Sequence, residues 1–201
     1  MASERTRDLT TLEYIILGLL SLTPQTGYGI ISVMERAASR WSGSPGAIYP
    51  ALKRLEGQGI ISSDIAASND ARPRRLYRVL PPGEQMLDEW LRLPVTRAAI
   101  LDERDLSLLK FTFAERRLTV DEVLAWLDAY EKAVDSYDVT QRIWYDMRML
   151  AQSVHQQLLV EATMMELNTL RAWVQMAQRR LRTELDRGEV AQGLQAAVSI
   201  A

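Results

Sequence analysis

Two neighbouring stretches hold side chains suited to contacting a nucleic acid: Ser44, Ala47, Tyr49, Lys53 and Arg54 in the first, Arg72, Arg74, Arg75 and Arg78 in the second. Lysine and arginine donate to guanine O6 and N7, serine and tyrosine reach phosphate oxygens, and an alanine methyl can meet a thymine methyl. Arginine in addition suits phosphates and narrow minor grooves. An isolated Lys53-Arg54 pair is better explained as a solvated helix face. Arg54 has the further option of pairing with Glu56 or with the acidic residues at 84–89. The four arginines cannot all point one way. On an alternating strand Arg74 and Arg78 share a face with Leu76, and Arg75 shares one with Tyr77 and Val79. Tyr77 is assigned to the core, and Arg72 and Arg74 at the tip are expected to carry most of the electrostatic attraction.

A second set is aromatic: Trp126, Tyr130, Trp144 and Trp173, among further Tyr and Met residues. Polarizable side chains of this kind suit a pocket for a flat apolar effector, and they suit an ordinary helix core and dimer seam better still. Enzyme chemistry finds no support. The chain has no Cys and a single His, His155, so neither a zinc set nor a nucleophilic triad can be assembled, and no metal or cofactor site is expected. A glycine-rich phosphate loop is also absent.

The elements that must position the first set follow from local pattern. Ser44 can cap a helix and Pro45 suits its first position. Ile48, Leu52 and Leu55 then recur at helical spacing, with Tyr49, Lys53 and Arg54 on another face. Pro50 means either that the helix proper starts near Tyr49 or that its first turn is distorted. Gly57 and Gly59 stop the helix, and Ile60-Ile61 opens an extended run. Ser68-Asn69-Asp70 is a turn cluster, so a hairpin with arginines at or near its tip is predicted. Upstream, Thr10-x-x-Glu13 is a capping box opening a helix that is apolar nearly all round. A second helix is predicted from Tyr28 to Trp41. Helix, short turn, helix and basic hairpin make the outline of a winged helix-turn-helix.

Gly27-Tyr28, Ser44-Pro45-Gly46, Ile48-Tyr49-Pro50-Ala51-Leu52-Lys53-Arg54-Leu55-Glu56, Gly59-Ile60-Ile61 and Arg74-Arg75-Leu76-Tyr77-Arg78 together resemble the PadR family of bacterial transcriptional regulators. The motif run covers about residues 12 to 90, and the helical remainder resembles the longer subgroup. The resemblance implies a homodimeric winged-helix repressor with a C-terminal helical dimerisation domain and, often, a small-molecule inducer. It also implies a pseudo-palindromic double-stranded DNA operator. For Lys53 and Arg54, helix, hairpin and family pattern together favour DNA contact over a solvated helix face. Two departures stand out: Gly29 where the family often has an acidic residue, and Leu80 where it often has Thr. Leu80 removes a side-chain cap, which Pro81 and Pro82 can replace by presetting the helix start.

Composition agrees with a localised DNA contact and excludes a generally basic surface. Lys+Arg number 24 against 26 Asp+Glu, split as 11 against 10 in residues 1–95 and 13 against 16 beyond. With 47% hydrophobic residues the chain can build a sizeable core. No signal-like or membrane-spanning run is present, so a cytoplasmic protein without membrane contact is expected.

The second half reads as all-helical. Residues 99–114 are predicted as one helix. Thr119-x-x-Glu122 caps a long helix whose Val120, Val123, Leu127, Tyr130, Val134, Tyr137, Gln141 and Trp144 alternate three- and four-residue steps. A second long helix over roughly 153–187 carries Leu167, Leu170, Val174, Ala177, Leu181 and Leu185, and Gly188 is expected to end it. The expected fold is mainly α: a DNA-binding winged helix-turn-helix over 1–95, a helical-hairpin dimerisation and possible effector domain over 96–188, and a loose tail over 189–201. The alternative is a protein–protein adaptor built on the same winged domain, against which the cations of the hairpin argue.

Overall fold

The structure, a computed structural model, describes residues 8–36, 44–66, 74–148 and 153–200. It is mainly helical with one small antiparallel sheet. The chain forms two compact units: Met1–Leu93 with Asp105–Arg117, and Pro94–Arg104 with Leu118–Ala201. No helix among the described residues is long and apolar enough to cross a membrane.

In the first unit α1 (Thr11–Leu22) starts at the capping box: Thr10 Oγ1 accepts from the Glu13 N–H at 3.3 Å, and the Glu13 carboxylate accepts from the Thr10 N–H at 2.8 Å. Ile15, Ile16, Leu17, Leu19 and Leu20 are all buried, so α1 is a core helix. A short strand β1 (Gln25–Thr26), absent from the sequence expectation, leads into α2 (Gly27–Arg36). Thr26 Oγ1 takes the Gly29 N–H at 3.0 Å, which caps this helix without any need for an acidic residue at 29. The predicted extension of the helix to Trp41 lies outside the described residues.

Next come α3 (Pro45–Gly57), β2 (Ile61–Ala66), β3 (Arg74–Val79) and α4 (Pro81–Leu91). The sheet order is β1-β3-β2, with Ile61 opposite Val79 and Ala66 opposite Arg74. Gly59 takes φ 68°, a left-handed turn that a side chain would strain. Leu80 is the N-cap of α4 with no side-chain bond, and prolines fill the first turn. α6 (Arg104–Ala114) completes this unit. Tyr14 stacks on Trp90 at 4.8 Å, Lys110 Nζ lies 4.4 Å from the same indole, and Arg117 grips Asp88 through two bonds of 2.7 and 2.9 Å.

The ring of Phe113 occupies the space where a side chain at Gly18 would stand, with a Cβ placed there meeting it at 2.3 Å. Gly57 faces open space instead. The two helical glycines should therefore respond oppositely to alanine. Gly18→Ala is expected to cost about 2 kcal/mol by overpacking, whereas Gly57→Ala should stabilise by about 0.5 kcal/mol through helix propensity. Chemical denaturation of both variants tests this; a stabilised Gly18→Ala would contradict the packing described.

In the second unit α5 (Arg97–Leu101) packs on α7 (Val120–Arg148), and α7 pairs with α8 (Val154–Ile200). The single helix expected over 99–114 is thus two. Asp102-Glu103 breaks it, and these carboxylates sit where the start of α6 favours negative charge. The sides of the break also serve different units, Ile100 in the second and Leu106 and Phe113 in the first. α7 and α8 are antiparallel, tied by Arg171 Nε to Asp135 at 2.8 Å, Gln175 Nε2 to Glu131 at 2.8 Å and Gln178 Nε2 to Asp128 at 2.7 Å. Val123, Leu127, Tyr130 and Val134 are buried on one helix, and Leu167, Leu170, Val174 and Ala177 on the other. Gly188 does not end α8, which runs on to Ile200 where a loose tail was expected. Each interior glycine, Gly188 and Gly193, costs only about 1 kcal/mol relative to alanine, and Leu194, Ala196 and Ala197 are good helix formers.

Candidate nucleic-acid interface

α3 buries Ile48, Ala51, Leu52 and Leu55, a stripe of three- and four-residue steps. The opposite line is Gly46, Pro50, Lys53 and Gly57, all exposed. Apart from Lys53 this line carries almost no side-chain bulk, so another surface can approach the helix backbone closely. The helix starts at Pro45 despite Pro50, and its first turn is tight: the Ser44 carbonyl accepts from both Ala47 N–H at 2.9 Å and Ile48 N–H at 3.1 Å.

Ser44 stands at the N-cap, but its side chain makes no capping bond, contrary to expectation. Pro45 offers no N–H, and the Ala47 N–H is already taken by Ser44's own carbonyl. Ala47 is half-buried. Tyr49 is 49% exposed and its ring lies over Gly27, where a Cβ would come within 2.6 Å. That contact gives Gly27 a structural reason: a side chain there would displace the ring from its present position. Tyr28 itself is 73% exposed.

Arg54 does not share the outward line with Lys53. Its Nε donates to Glu13 Oε1 at 3.0 Å, so neither Glu56 nor the acidic residues of α4 is its partner. Glu13 is 5% exposed. Burial opposes its charge, but bonds from the Thr10 N–H and hydroxyl and from Arg54 outweigh that and hold its carboxyl below the usual carboxylate range.

On the hairpin, register pairs share a face. Ile61, Ser63, Ile65, Arg75, Tyr77 and Val79 lie on one side, and buried Ile61 and Tyr77 mark it as the inner side. Ser62, Asp64, Arg74, Leu76 and Arg78 lie on the outer side. Arg74 is exposed there, and Arg78 Nη2 pairs with Asp64 at 2.9 Å. Arg75 points inward to Glu56 of α3 at 3.0 Å. Arg72 lies outside the described residues. The candidate cations therefore divide by face: Lys53, Arg74 and Arg78 lie away from the core, Arg78 paired there with Asp64, while Arg54 and Arg75 turn to Glu13 and Glu56. The pairings Arg54–Glu13, Arg75–Glu56 and Arg78–Asp64, and the bulk-free line at Gly46, Pro50 and Gly57, are not read from the sequence, although Glu13 as a cap and Glu56 as a carboxylate near Arg54 are. Only a helical projection of α3 could have suggested the bulk-free line.

The second unit brings three of the four aromatic candidates together. Tyr130 is buried, its ring 5.2 Å from Trp126 and 6.4 Å edge-on from Trp173, and its hydroxyl donates to the Ala99 carbonyl at 3.4 Å. Trp126 and Trp173 are half-buried, and the Trp144 side chain lies outside those described. No group of three metal-ligating side chains occurs among the described residues.

Residues 16–89 match the transcriptional regulator PadR-like family. The chain is 33% identical over 84 residues to the negative transcriptional regulator PadR of Bacillus subtilis, an alignment spanning 41% of this chain and 46% of that protein. It is 46% identical over 46 residues to a transcriptional regulator of Mycobacterium tuberculosis, spanning 23% and 42% respectively. The chain thus spans less than half the length of these curated relatives. A crystal structure of Bacillus subtilis PadR in complex with operator DNA aligns over 86% of this chain and 99% of that one, at 22% identity and a TM-score of 0.42. The segment that resembles the PadR-like family of transcriptional regulators, 16–89, is the one that holds α3 and the hairpin.

Proposed function

We propose that the protein is a homodimeric DNA-binding repressor, with DNA contact in the first unit and dimerisation in the second. One observation carries the reading: the bulk-free outward line of α3 centres on Lys53 and lies in the same unit as a hairpin whose outer face bears Arg74 and Arg78. A helix of this form fits a major groove and a cationic hairpin fits the flanking backbone. The name of the Bacillus subtilis relative supports the negative direction of control. A mobility shift against the DNA upstream of the protein's own gene, over a salt series with competitor, tests it. The expected result is a specific complex of two chains per site. If a selection from genomic DNA also returned no preferred duplex, the reading would fail.

Dimerisation is supported by a second stripe on α8. Leu158, Ala162, Met165, Thr169, Ala172 and Met176 recur in steps of 4, 3, 4, 3 and 4 and are all exposed, Met165 at 71%. The buried stripe that faces α7 is a different one. A heptad pattern of this kind is the seam of a helix pair, which a second copy would complete. Met165→Glu should convert the dimer to monomer in sedimentation while helix content is retained; an unshifted dimer would place the interface elsewhere. An apolar or aromatic effector would act by binding preferentially the dimer geometry that does not fit the operator. Half-buried Trp126 and Trp173 beside Tyr130 are the side chains proposed to meet it, and their fluorescence would report binding.

A further inference from the structure

The carboxylate of Glu56 touches both strands of the hairpin. Glu56 sits in the last turn of α3; its Oε1 accepts from Ser63 Oγ of β2 at 2.5 Å, and its Oε2 accepts from Arg75 Nη1 of β3 at 3.0 Å. Ser63 and Arg75 are diagonal neighbours on the inner face of the hairpin, since Ser63 pairs with Tyr77 and Ile65 with Arg75. The three groups form a polar clamp between the end of the helix and the middle of the hairpin. Below it the apolar contact of buried Ile61 and Tyr77 sets how closely the sheet lies on the helices, but apolar packing is non-directional. The bonds to Glu56 are directional and add an angular constraint.

Resting on the DNA reading above, we propose that Glu56 is a positioning residue for operator recognition: it fixes the hairpin relative to α3 so that both meet one duplex at once. A carboxylate this near a DNA surface is unfavourable for phosphate attraction taken alone, and it also engages the charge of Arg75 on the inner face. Its presence makes sense when rigidity adds more to specific binding than the charge subtracts. Specific docking, which needs both elements in register, gains from preorganisation; non-specific attraction, which needs only charge, does not.

The two effects have opposite signs, and that makes the test decisive. Binding of the full chain would be measured to the duplex that the wild-type protein selects from a random library, and to an unrelated duplex, each over a salt series, alongside thermal stability. Glu56→Gln removes the charge and frees Arg75. The expected result is operator affinity lower by about tenfold, with non-specific affinity equal or higher and a steeper salt slope. Ser63→Ala keeps every charge and removes one arm of the clamp; operator affinity should fall about threefold with the salt slope unchanged. Operator affinity that is unchanged or raised in Glu56→Gln would show that the carboxylate is only a repulsive charge and would overturn the proposal. Parallel losses for both duplexes together with a lower Tm in both variants would assign Glu56 to the fold alone and overturn it equally. A wild-type protein that selected no duplex would overturn the DNA reading itself, a result distinct from either.

Discussion

Replacing Lys53 with glutamate is expected to weaken operator binding about a thousandfold, or ~4 kcal/mol, while leaving the fold intact. The size follows from position. Lys53 is the one long side chain on the outward line of α3, between Pro50 and Gly57, and no ion pair engages it among the described residues. A lysine that meets a base edge or phosphate contributes roughly 1–3 kcal/mol, and the proposed dimer would present it twice. Glutamate adds repulsion from the same phosphates. The buried stripe of Ile48, Ala51, Leu52 and Leu55 is untouched, so stability should stay within about 0.5 kcal/mol. Equilibrium binding at fixed salt, with denaturation of the same preparations, checks both halves. Wild-type affinity in Lys53→Glu would mean that α3 is not the element in the groove. Arg54 gives a contrast on the same helix: its guanidinium already bonds Glu13, so its removal should cost binding much less.

What the sequence disclosed and what it hid follow the range of each interaction. The two capping boxes, Thr10 with Glu13 and Thr119 with Glu122, link residues three apart and were legible as spacing. The buried face of α3 and the Val123, Leu127, Tyr130 and Val134 part of the α7 seam were legible because a helix repeats every few residues, whereas Val120 at the start of that seam is exposed. The face alternation of the hairpin was legible for the same reason. The destination of Arg54 was not, because its partner lies 41 positions away in sequence and no local rule connects them. The same holds for Arg75 with Glu56, 19 apart, and for Phe113 against Gly18, where the signal is the absence of a side chain. The break at Asp102-Glu103 was hidden by apolar residues on both sides that read as one stripe; only the division of the chain into units separates them. The run of α8 past Gly188 and Gly193 is not legible as helix because glycine reads as a stop, whereas its helix propensity carries only about 1 kcal/mol.

Glu13→Ala is expected to lower the stability of the first unit by about 3 kcal/mol at neutral pH, as the sum of a lost cap and lost charge-assisted bonds. Glu13 accepts from Thr10 N–H and Oγ1, both at 2.8 Å, and from Arg54 Nε at 3.0 Å, so one buried carboxylate joins the start of α1 to the last turn of α3. Arg54 is half-exposed, and its pairing is worth less than that of a buried partner; the larger share rests on the Thr10 bonds. The pH dependence follows from the sign of the shift. Folding holds the carboxyl below the usual carboxylate range, so the charged form is the one that folding favours. Its contribution is complete above the pKa of the unfolded chain and is lost as pH falls through the lower, folded value. Wild type and Glu13→Ala should therefore differ most at neutral pH and converge under acid, in denaturant titrations repeated over a pH series. A difference that stayed constant to low pH would assign the loss to packing and to the cap geometry rather than to the charge. Convergence would mean instead that acid loosens the seat of α3 at Arg54, and that the presentation of Lys53 depends on a carboxylate buried in the neighbouring helix.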